Sequence, residues 1–225
     1  MKGSKKELLS NIEHFEEFLS PERAARILKV LEGRSDRVTL ILENLYDIGN
    51  INAIVRSAEN FGVQNLHVIE SQTVGKLRRT TRGAHQWVDM HKSPDISVCA
   101  QELKKAGYKI GVTSFSPESV PLDKLDWTHK WAFVLGREMN GCSEDAHNQA
   151  DELVHIPTVG FSQSLNVAVA AAVLMAQAFF QREGQGNLTN KEKLELRANW
   201  VAKSLPPRML EIFLKKRALD MGDPL

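Results

Sequence analysis

The sequence has few of the features that mark secreted or membrane-bound proteins. Among its 225 residues are only two cysteines, Cys99 and Cys142, which are too few for a disulfide framework and suit a reducing compartment. Its most apolar run, residues 165–180, is interrupted by two amide side chains and is shorter than the ~20 residues that a membrane span needs. The first residues do not lead into the apolar core of a signal peptide. We therefore expect a cytoplasmic protein without a membrane partner.

Several ligand-binding signatures are also missing. No G-x-G-x-x-G follows an expected strand, which argues against a dinucleotide site and against the glycine-rich loop of the commoner methyltransferases. No G-x-x-x-x-G-K-[ST] is present, which argues against a P-loop. The histidines show no paired ligand spacing and the two cysteines lie far apart, so we expect no metal site. Ser164 lacks the G-x-S-x-G context of a nucleophile elbow.

Charges are nearly balanced, with a formal net charge of +1, but the basic residues are clustered. Any one cluster can be an ordinary solvated surface, whereas several clusters beside ligand-binding motifs favour contact with phosphates. The middle cluster is the best candidate because it lies in a polar stretch, from which arginines can reach a nucleic-acid backbone. The three clusters are Arg23, Arg26, Arg34 and Arg37; Lys76, Arg78, Arg79 and Arg82; and Lys215, Lys216 and Arg217.

Short apolar segments alternate with segments that carry helix-capping residues. One helix is expected from Pro21 to Gly33, and another from Asn50, as its cap, to Phe61. Strands are expected at residues 38–43, 66–69, 108–113, 131–135 and 153–156, and further helices at 93–107 and 167–181. This alternation predicts an α/β fold with a mostly parallel sheet and helices on both faces. Because residues 183–187 break the pattern, we expect this domain to lie between helical N- and C-terminal extensions.

Three segments place polar residues where a strand meets a helix. In residues 50–56, Arg56 lies about 1.7 turns beyond the first residue and among apolar ones, so we expect a carboxylate or a phosphate to meet it. In residues 135–141 a strand ends in Gly136, where the backbone can approach a ligand closely. Residues 156–166 form a polar turn before a long helix, and such a turn offers N–H groups and oxygens to a ligand. Simple helix capping stays open as the role of three residues: Asn50, Ser164 and Asn166.

Taken in order, these three segments resemble the SpoU-type (SPOUT) RNA 2′-O-ribose methyltransferases, over about residues 21–182. Within that family, residues 22–43 are most similar to the TrmH-type subfamily. The resemblance implies a deep trefoil knot at about residues 131–182, which patterning alone would not suggest because knots are nearly absent from proteins. It implies a helical arm for RNA or dimer contacts at residues 1–36, a methyltransferase domain at 37–182 and a helical extension at 183–225.

The resemblance also implies S-adenosylmethionine as the cofactor, with no metal, and a set of site residues. Arg56 occupies the position of the family's catalytic arginine, which acts either as a base or as a clamp for phosphate and the developing alkoxide. The implied catalytic residues are Arg56, Asn50, Glu138, Ser164 and Asn166. Those implied for the cofactor are Thr113, Leu135, Gly136, Ile156 and Leu165. Those expected to bind RNA are Arg23, Arg26, Arg78, Arg79, Arg82 and Arg182.

The implied activity is 2′-O-methylation of tRNA at a D-loop guanosine (nucleotide 18), by a homodimer whose sites draw on both subunits. Two departures from the subfamily's pattern leave the RNA target open: Ile48-Gly49 replace a Pro-His pair, and Asn52 replaces a small residue. Methylation of ribosomal RNA or of a tRNA anticodon nucleotide is the nearer alternative. A non-catalytic RNA-binding or ribosome-assembly protein on the same fold is the more distant one.

Overall fold

A computed structural model describes residues 5–69, 83–137, 140–162, 164–206 and 208–210. The chain divides into two compact units, one made of residues 1–33 and 188–225 and the other of residues 34–187. The two terminal segments, expected from the sequence as separate extensions, thus belong to one unit. Within the described ranges, no helix is both long enough and apolar enough to cross a bilayer.

The described part of the smaller unit contains helices α1 (Lys5–Glu16), α2 (Pro21–Glu32) and α7 (Asn190–Lys203). The Ser20 hydroxyl caps α2, as the sequence predicts, and a capping box formed by Thr189 and Glu192 begins α7. Helices α1 and α7 are joined by a small apolar core and by two hydrogen bonds of 2.9 and 2.7 Å from Arg197 to the Glu16 carboxylate. The buried core residues are Leu8, Ile12 and Ala198.

In the larger unit, the described residues form a seven-stranded parallel sheet in the order β3-β2-β1-β6-β4-β7-β5. Its strands are β1 (Val38–Glu43), β2 (Asn65–Ile69), β3 (Asp89–Ser93), β4 (Tyr108–Thr113), β5 (Val120–Pro121), β6 (Lys130–Leu135) and β7 (Glu152–His155). Its helices are α3 (Ile48–Asn60), α4 (Ile96–Lys105), α5 (Glu144–Gln149) and α6 (Val167–Gln181), with 3-10 turns at Ala84–Gln86 and Leu122–Lys124. The predicted α/β fold is confirmed.

Helices cover both faces of this sheet. Successive residues of a strand point to opposite sides, so one strand contributes to two cores. In β1, Leu40 and Leu42 belong to the core that includes α3 and α6, whereas Ile41 belongs to the core that includes α4 and α5. The central strands β1 and β6 are therefore almost wholly buried and apolar, as is typical of a parallel sheet covered on both faces.

Two strands were not predicted, and both lie towards the sides of the sheet. β3 carries Asp89, His91 and Lys92 and is only partly buried, so it lacks the apolar run of a central strand. β5 has only two residues, and its Pro121 is tolerated because the strand lies at the edge.

Candidate functional site

The three sequence motifs meet at one edge of the sheet. β1 and β6 are neighbours, with Leu42 opposite Leu135, and β4 and β7 are neighbours, with Thr113 opposite Val154. Because all these strands are parallel, the loops that follow them emerge side by side at the carboxyl edge, where α/β proteins bind their ligands.

A cavity of about 430 Å³ opens at this edge, within the ~300–1,000 Å³ range usual for small-molecule sites. Polar and apolar residues share its wall. All five residues predicted to bind the cofactor line it: Thr113, Leu135, Gly136, Ile156 and Leu165. Ser164 lines it too. The structure thus brings this set together, while its role towards a cofactor stays a prediction.

The loop after β6 folds back tightly beside the cavity. Arg137 and Gly141 exchange main-chain hydrogen bonds of 3.0 and 2.8 Å, and a Cβ atom at Gly136 would lie 2.2 Å from the Gly141 carbonyl carbon. Only glycine fits at position 136. Burial raises the pKa of the neighbouring Cys142 thiol to about 11, so this side chain is neutral and contributes packing to the cavity wall.

Glu43 anchors the same loop and was not identified from the sequence. It is the last residue of β1 and only 3% exposed, and its two carboxylate oxygens accept hydrogen bonds from the Ser143 N–H (2.9 Å) and hydroxyl (2.5 Å). These bonds tie the start of α5 to the end of β1. The available signal was a carboxylate ending an otherwise apolar strand, since a buried charge needs such partners.

The predicted capping role of Asn50 is wrong. Asp47 caps α3 instead: its Oδ1 accepts hydrogen bonds from the N–H groups of Gly49 (2.6 Å) and Asn50 (3.1 Å). Gly49 suits this arrangement because a Cβ atom there would lie only 2.9 Å from Asp47 Oδ1. Asn50 is therefore inside the helix, and its side chain is not used as a cap.

Asn166 links the first and third motifs. It caps α6, as the alternative reading proposed, because its Oδ1 accepts from the N–H groups of Ala168 (2.9 Å) and Val169 (3.3 Å). Its Nδ2 donates to Asn50 Oδ1 at 3.0 Å. Ser164 is not a cap; it is exposed and has no hydrogen bond to a described residue. Asn166, whose amide is hydrogen-bonded to Asn50, therefore directly follows Leu165, a residue of the cavity wall.

Arg56 is exposed, which corrects the expectation that it lies among buried residues. Helix α3 buries Ile51, Ile54 and Val55 against the sheet, and Arg56 is on its outer side. The guanidinium has no partner among the described residues and does not line the cavity. Because the Arg56 guanidinium is exposed to solvent, it does not need a carboxylate partner. Glu138, its predicted companion, lies outside the described residues.

The residues predicted to bind RNA have different surroundings. Arg23 donates twice to the Ser204 hydroxyl at 3.3 Å, and Arg26 is exposed on α2. Arg182 donates to the carbonyls of Phe61 (2.6 Å) and Gln185, and burial lowers its pKa. Arg78, Arg79 and Arg82 lie outside the described residues. For this whole set, RNA binding stays a prediction.

A parallel sheet with a cavity among its carboxyl-edge loops places the chain among the α/β proteins, a class that commonly binds small molecules at this edge. The described part of the chain shows no cluster of three His, Cys, Asp or Glu side chains suited to a metal ion. The model of the SpoU rRNA methylase family matches residues 37–176, and the chain belongs to this family. The predicted family resemblance is confirmed.

Two relatives and one solved structure place the chain within that family. It is 35% identical over 170 residues to the tRNA (guanosine(18)-2′-O)-methyltransferase of Borreliella burgdorferi, covering 75% of this chain and 78% of that one. It is 33% identical over 188 residues to the enzyme of the same name from Thermus thermophilus, covering 80% and 96%. The crystal structure of the Aquifex aeolicus TrmH/SpoU tRNA-modifying enzyme superposes with a TM-score of 0.74 at 30% identity, covering 82% and 98%.

Proposed function

We propose that this protein transfers a methyl group from S-adenosylmethionine to the ribose 2′-oxygen of guanosine 18 in the D-loop of tRNA. The observation that carries the proposal is the cavity at the carboxyl edge. Ser164 and Leu165 line this cavity, and the next residue, Asn166, is hydrogen-bonded to Asn50. Family membership and the activity for which the relatives are named support the reaction and its substrate.

The cavity suits the adenosine part of the cofactor. Leu135, Ile156 and Leu165 offer apolar contact for the base, and Gly136, which has no side chain, lets the main chain line the cavity closely. When bound, S-adenosylmethionine supplies a methyl group on a sulfonium, whose departure as a neutral thioether needs no acid. The side chains of the protein therefore act mainly on the nucleophile.

The nucleophile is a ribose hydroxyl that stays protonated near neutral pH. A guanidinium with a pKa above ~12 is a poor base, so we assign Arg56 a different role. It binds the neighbouring phosphate through paired N–H groups and stabilises negative charge as it develops on the 2′-oxygen. Asn50, held by Asn166, and Ser164 orient the ribose, while the 2′-proton passes to solvent.

A homodimer explains why Arg56 does not line the cavity of its own chain. The loop before α6 exposes Val159 and Phe161 completely, and Val169 on α6 is 49% exposed. Exposed apolar side chains on this loop and helix support an interface there. In the proposed dimer, α6 packs against its copy, and Arg56 of one subunit serves the cavity of the other.

The dimer can be tested with a matched pair of charged substitutions. Val169→Asp should weaken the dimer at least about 10-fold, because a carboxylate would be buried in the interface. Val98→Asp, at a 39% exposed position on α4, is the control and should leave it intact. The measurement is sedimentation equilibrium across a concentration series. A monomeric wild type, or a dimer unaffected by Val169→Asp, would contradict this arrangement.

We also propose that residues 131–182 form the trefoil knot that the family resemblance implies. The sheet order supports it: β6 lies between β1 and β4, β7 lies beyond β4, and α6 then returns to pack on α3 and β1. The segment between β7 and α6 must therefore pass back across the carboxyl edge. An experimental structure whose density traces this segment without threading would refute the knot.

The terminal arms are proposed to select the RNA. Arg26 is exposed on α2, with Arg23 three residues before it on the same helix. Arg26→Ala should weaken binding to tRNA. It should also reduce the slope of log K against the logarithm of salt concentration by about 1. Lys105→Ala, on α4, is the control for the loss of an exposed positive charge. Equal salt dependence in both variants would place the RNA elsewhere.

The first test is direct. Purified protein is incubated with labelled S-adenosylmethionine and unmodified tRNA transcript, and 2′-O-methylation is mapped by nucleotide. Label at guanosine 18 alone is the expected result. Because the family is named for ribosomal RNA methylases, label on ribosomal RNA but not on tRNA would favour that substrate. Absence of cofactor binding would refute the enzyme proposal.

A further inference from the structure

An exposed tyrosine and an exposed arginine form a fixed pair at the rim of the cavity. Tyr46 lies three residues beyond β1 and Arg137 two residues beyond β6, and these strands are neighbours in the sheet. Arg137 Nη2 donates to the Tyr46 hydroxyl at 3.0 Å, and the guanidinium carbon lies 5.1 Å from the ring centroid. Arg137 also lines the cavity. Each residue thus holds the other in place beside the site.

The pair is open to solvent. Tyr46 is 62% exposed, Arg137 is exposed as well, and Arg137 has no salt bridge with a described residue. Arg34, by contrast, is buried and spends its guanidinium on Glu59 and a main-chain carbonyl. An exposed arginine normally samples many rotamers, but stacking and a hydrogen bond restrict this one. A ligand that binds it meets a guanidinium already in position.

The chemistry of the pair suits a purine base. A guanidinium has five N–H donors and no acceptor, and the bond to Tyr46 uses one of them. Guanine presents two acceptors, O6 and N7, on one edge, whereas adenine presents an acceptor and a donor. Two parallel N–H groups therefore fit guanine and not adenine. A planar guanidinium also offers a surface on which a base can stack.

We propose that Arg137, positioned by Tyr46, contacts the base of the target nucleotide and selects guanine by donating to its O6 and N7. This inference rests on the proposed function and adds to it the side chains that choose the base. A phosphate contact by Arg137 would not depend on the base of the nucleotide, so its loss would lower kcat/KM equally on all three RNAs. The two roles therefore respond differently to conservative substitutions.

The test uses the full-length protein and ligated tRNAs that carry guanosine, inosine or adenosine at the target position. Inosine keeps O6 and N7, so the wild type should methylate guanosine and inosine with similar kcat/KM and adenosine roughly 5- to 150-fold less well. Arg137→Lys keeps the charge but loses the fork, and it should reduce the preference for guanosine over adenosine to about twofold. Tyr46→Phe keeps the ring and should reduce the preference partly. Lys105→Ala is the control and should keep it.

Each outcome is decisive. An unchanged guanosine-to-adenosine ratio in Arg137→Lys, or an equal loss on all three RNAs, would overturn base selection. A wild type that rejects inosine would overturn it too, because the contact would then lie on another edge of the base. S-adenosylmethionine binding by equilibrium dialysis separates a loss of the cofactor site from a loss of base selection. A wild type inactive on guanosine tRNA would contradict the proposed function itself, and this inference with it.

Discussion

The two edges of the sheet carry similar polar residues but use them differently. At the amino edge, the Asp36 carboxylate accepts hydrogen bonds from Asn187 Nδ2 at 2.6 Å and from Lys130. Nearby, the fully buried Arg34 forms an ion pair of 3.3 Å with Glu59. The charges of these groups are paired within the protein, and the pairs hold the chain together.

At the carboxyl edge, polar groups remain available to a ligand. Ser164 is exposed and its side chain has no partner among the described residues, and the side chains of Tyr46 and Arg137 bond to each other at the cavity rim. The difference teaches that residue type does not distinguish scaffold from site, since both edges use arginine. What distinguishes them is whether the protein itself satisfies the group. Four predictions follow this contrast from the largest expected effect to the smallest.

Arg56 should matter for catalysis and hardly at all for folding. Arg56→Ala is expected to lose at least ~100-fold in single-turnover rate, the scale for one electrostatic donor. Its free energy of unfolding should change by no more than about 0.5 kcal/mol, because the side chain is exposed. Rapid-quench assays and urea unfolding measure the two effects. A folded variant with a near-normal rate would remove Arg56 from the mechanism.

Glu59, one turn further along α3, should behave in the opposite way. Glu59→Gln leaves the buried Arg34 charge without its counter-ion and should lower the free energy of unfolding by about 2 kcal/mol, less than for a fully buried pair because Glu59 is 27% exposed. Burial already lowers the pKa of Arg34 to about 10. Below its melting temperature, Glu59→Gln should keep the single-turnover rate of the wild type. Glu102→Gln, on the exposed side of α4, is the control; equal stability of the two variants would contradict the role of the pair.

His67 should make the scaffold sensitive to acid. Burial, aided by the stacked His91, lowers its pKa to about 4. A depressed histidine pKa favours the neutral form in the folded state, so this contribution is complete above about pH 6.5 and is lost as the pH falls towards 4. Between pH 7 and 5 the loss is at most about 2 kcal/mol. Urea unfolding at pH 7 and pH 5 should show that the free energy of unfolding changes less with pH in His67→Gln than in the control His129→Gln. Equal slopes would show that His67 is not responsible.

Asp47 and Asn50 separate capping from chemistry within one turn of α3. Asp47→Ala removes the cap and should lower the free energy of unfolding by about 1 kcal/mol. Asn50→Ala should leave stability nearly unchanged and reduce the methyl-transfer rate about 10-fold, equivalent to one hydrogen bond. Thermal unfolding and single-turnover assays on both variants give the comparison. A reversed pattern would restore Asn50 as the cap.

Much of the framework could be predicted from local patterns. β1, β4 and α6 have the predicted boundaries, because each is an apolar run ended by residues that stop its periodicity. The side strands β3 and β5 were missed because partial exposure removes the apolar run that identifies a strand. The five residues predicted to bind the cofactor all lie on the cavity wall, because each adjoins the end of a strand and parallel strands gather those ends; their role stays a prediction.

The sequence by itself determined the central strands, the family to which the chain belongs and the chemical groups it can offer. Only the tertiary structure decided which groups have partners. Asn50 meets Asn166 across 116 positions of sequence, and Tyr46 meets Arg137 across 91. It also decided that Arg56 faces outward, because the side of α3 that meets the sheet depends on where Asp47 begins the helix and on packing against α6. Such contacts are non-local, so no window of sequence contains them.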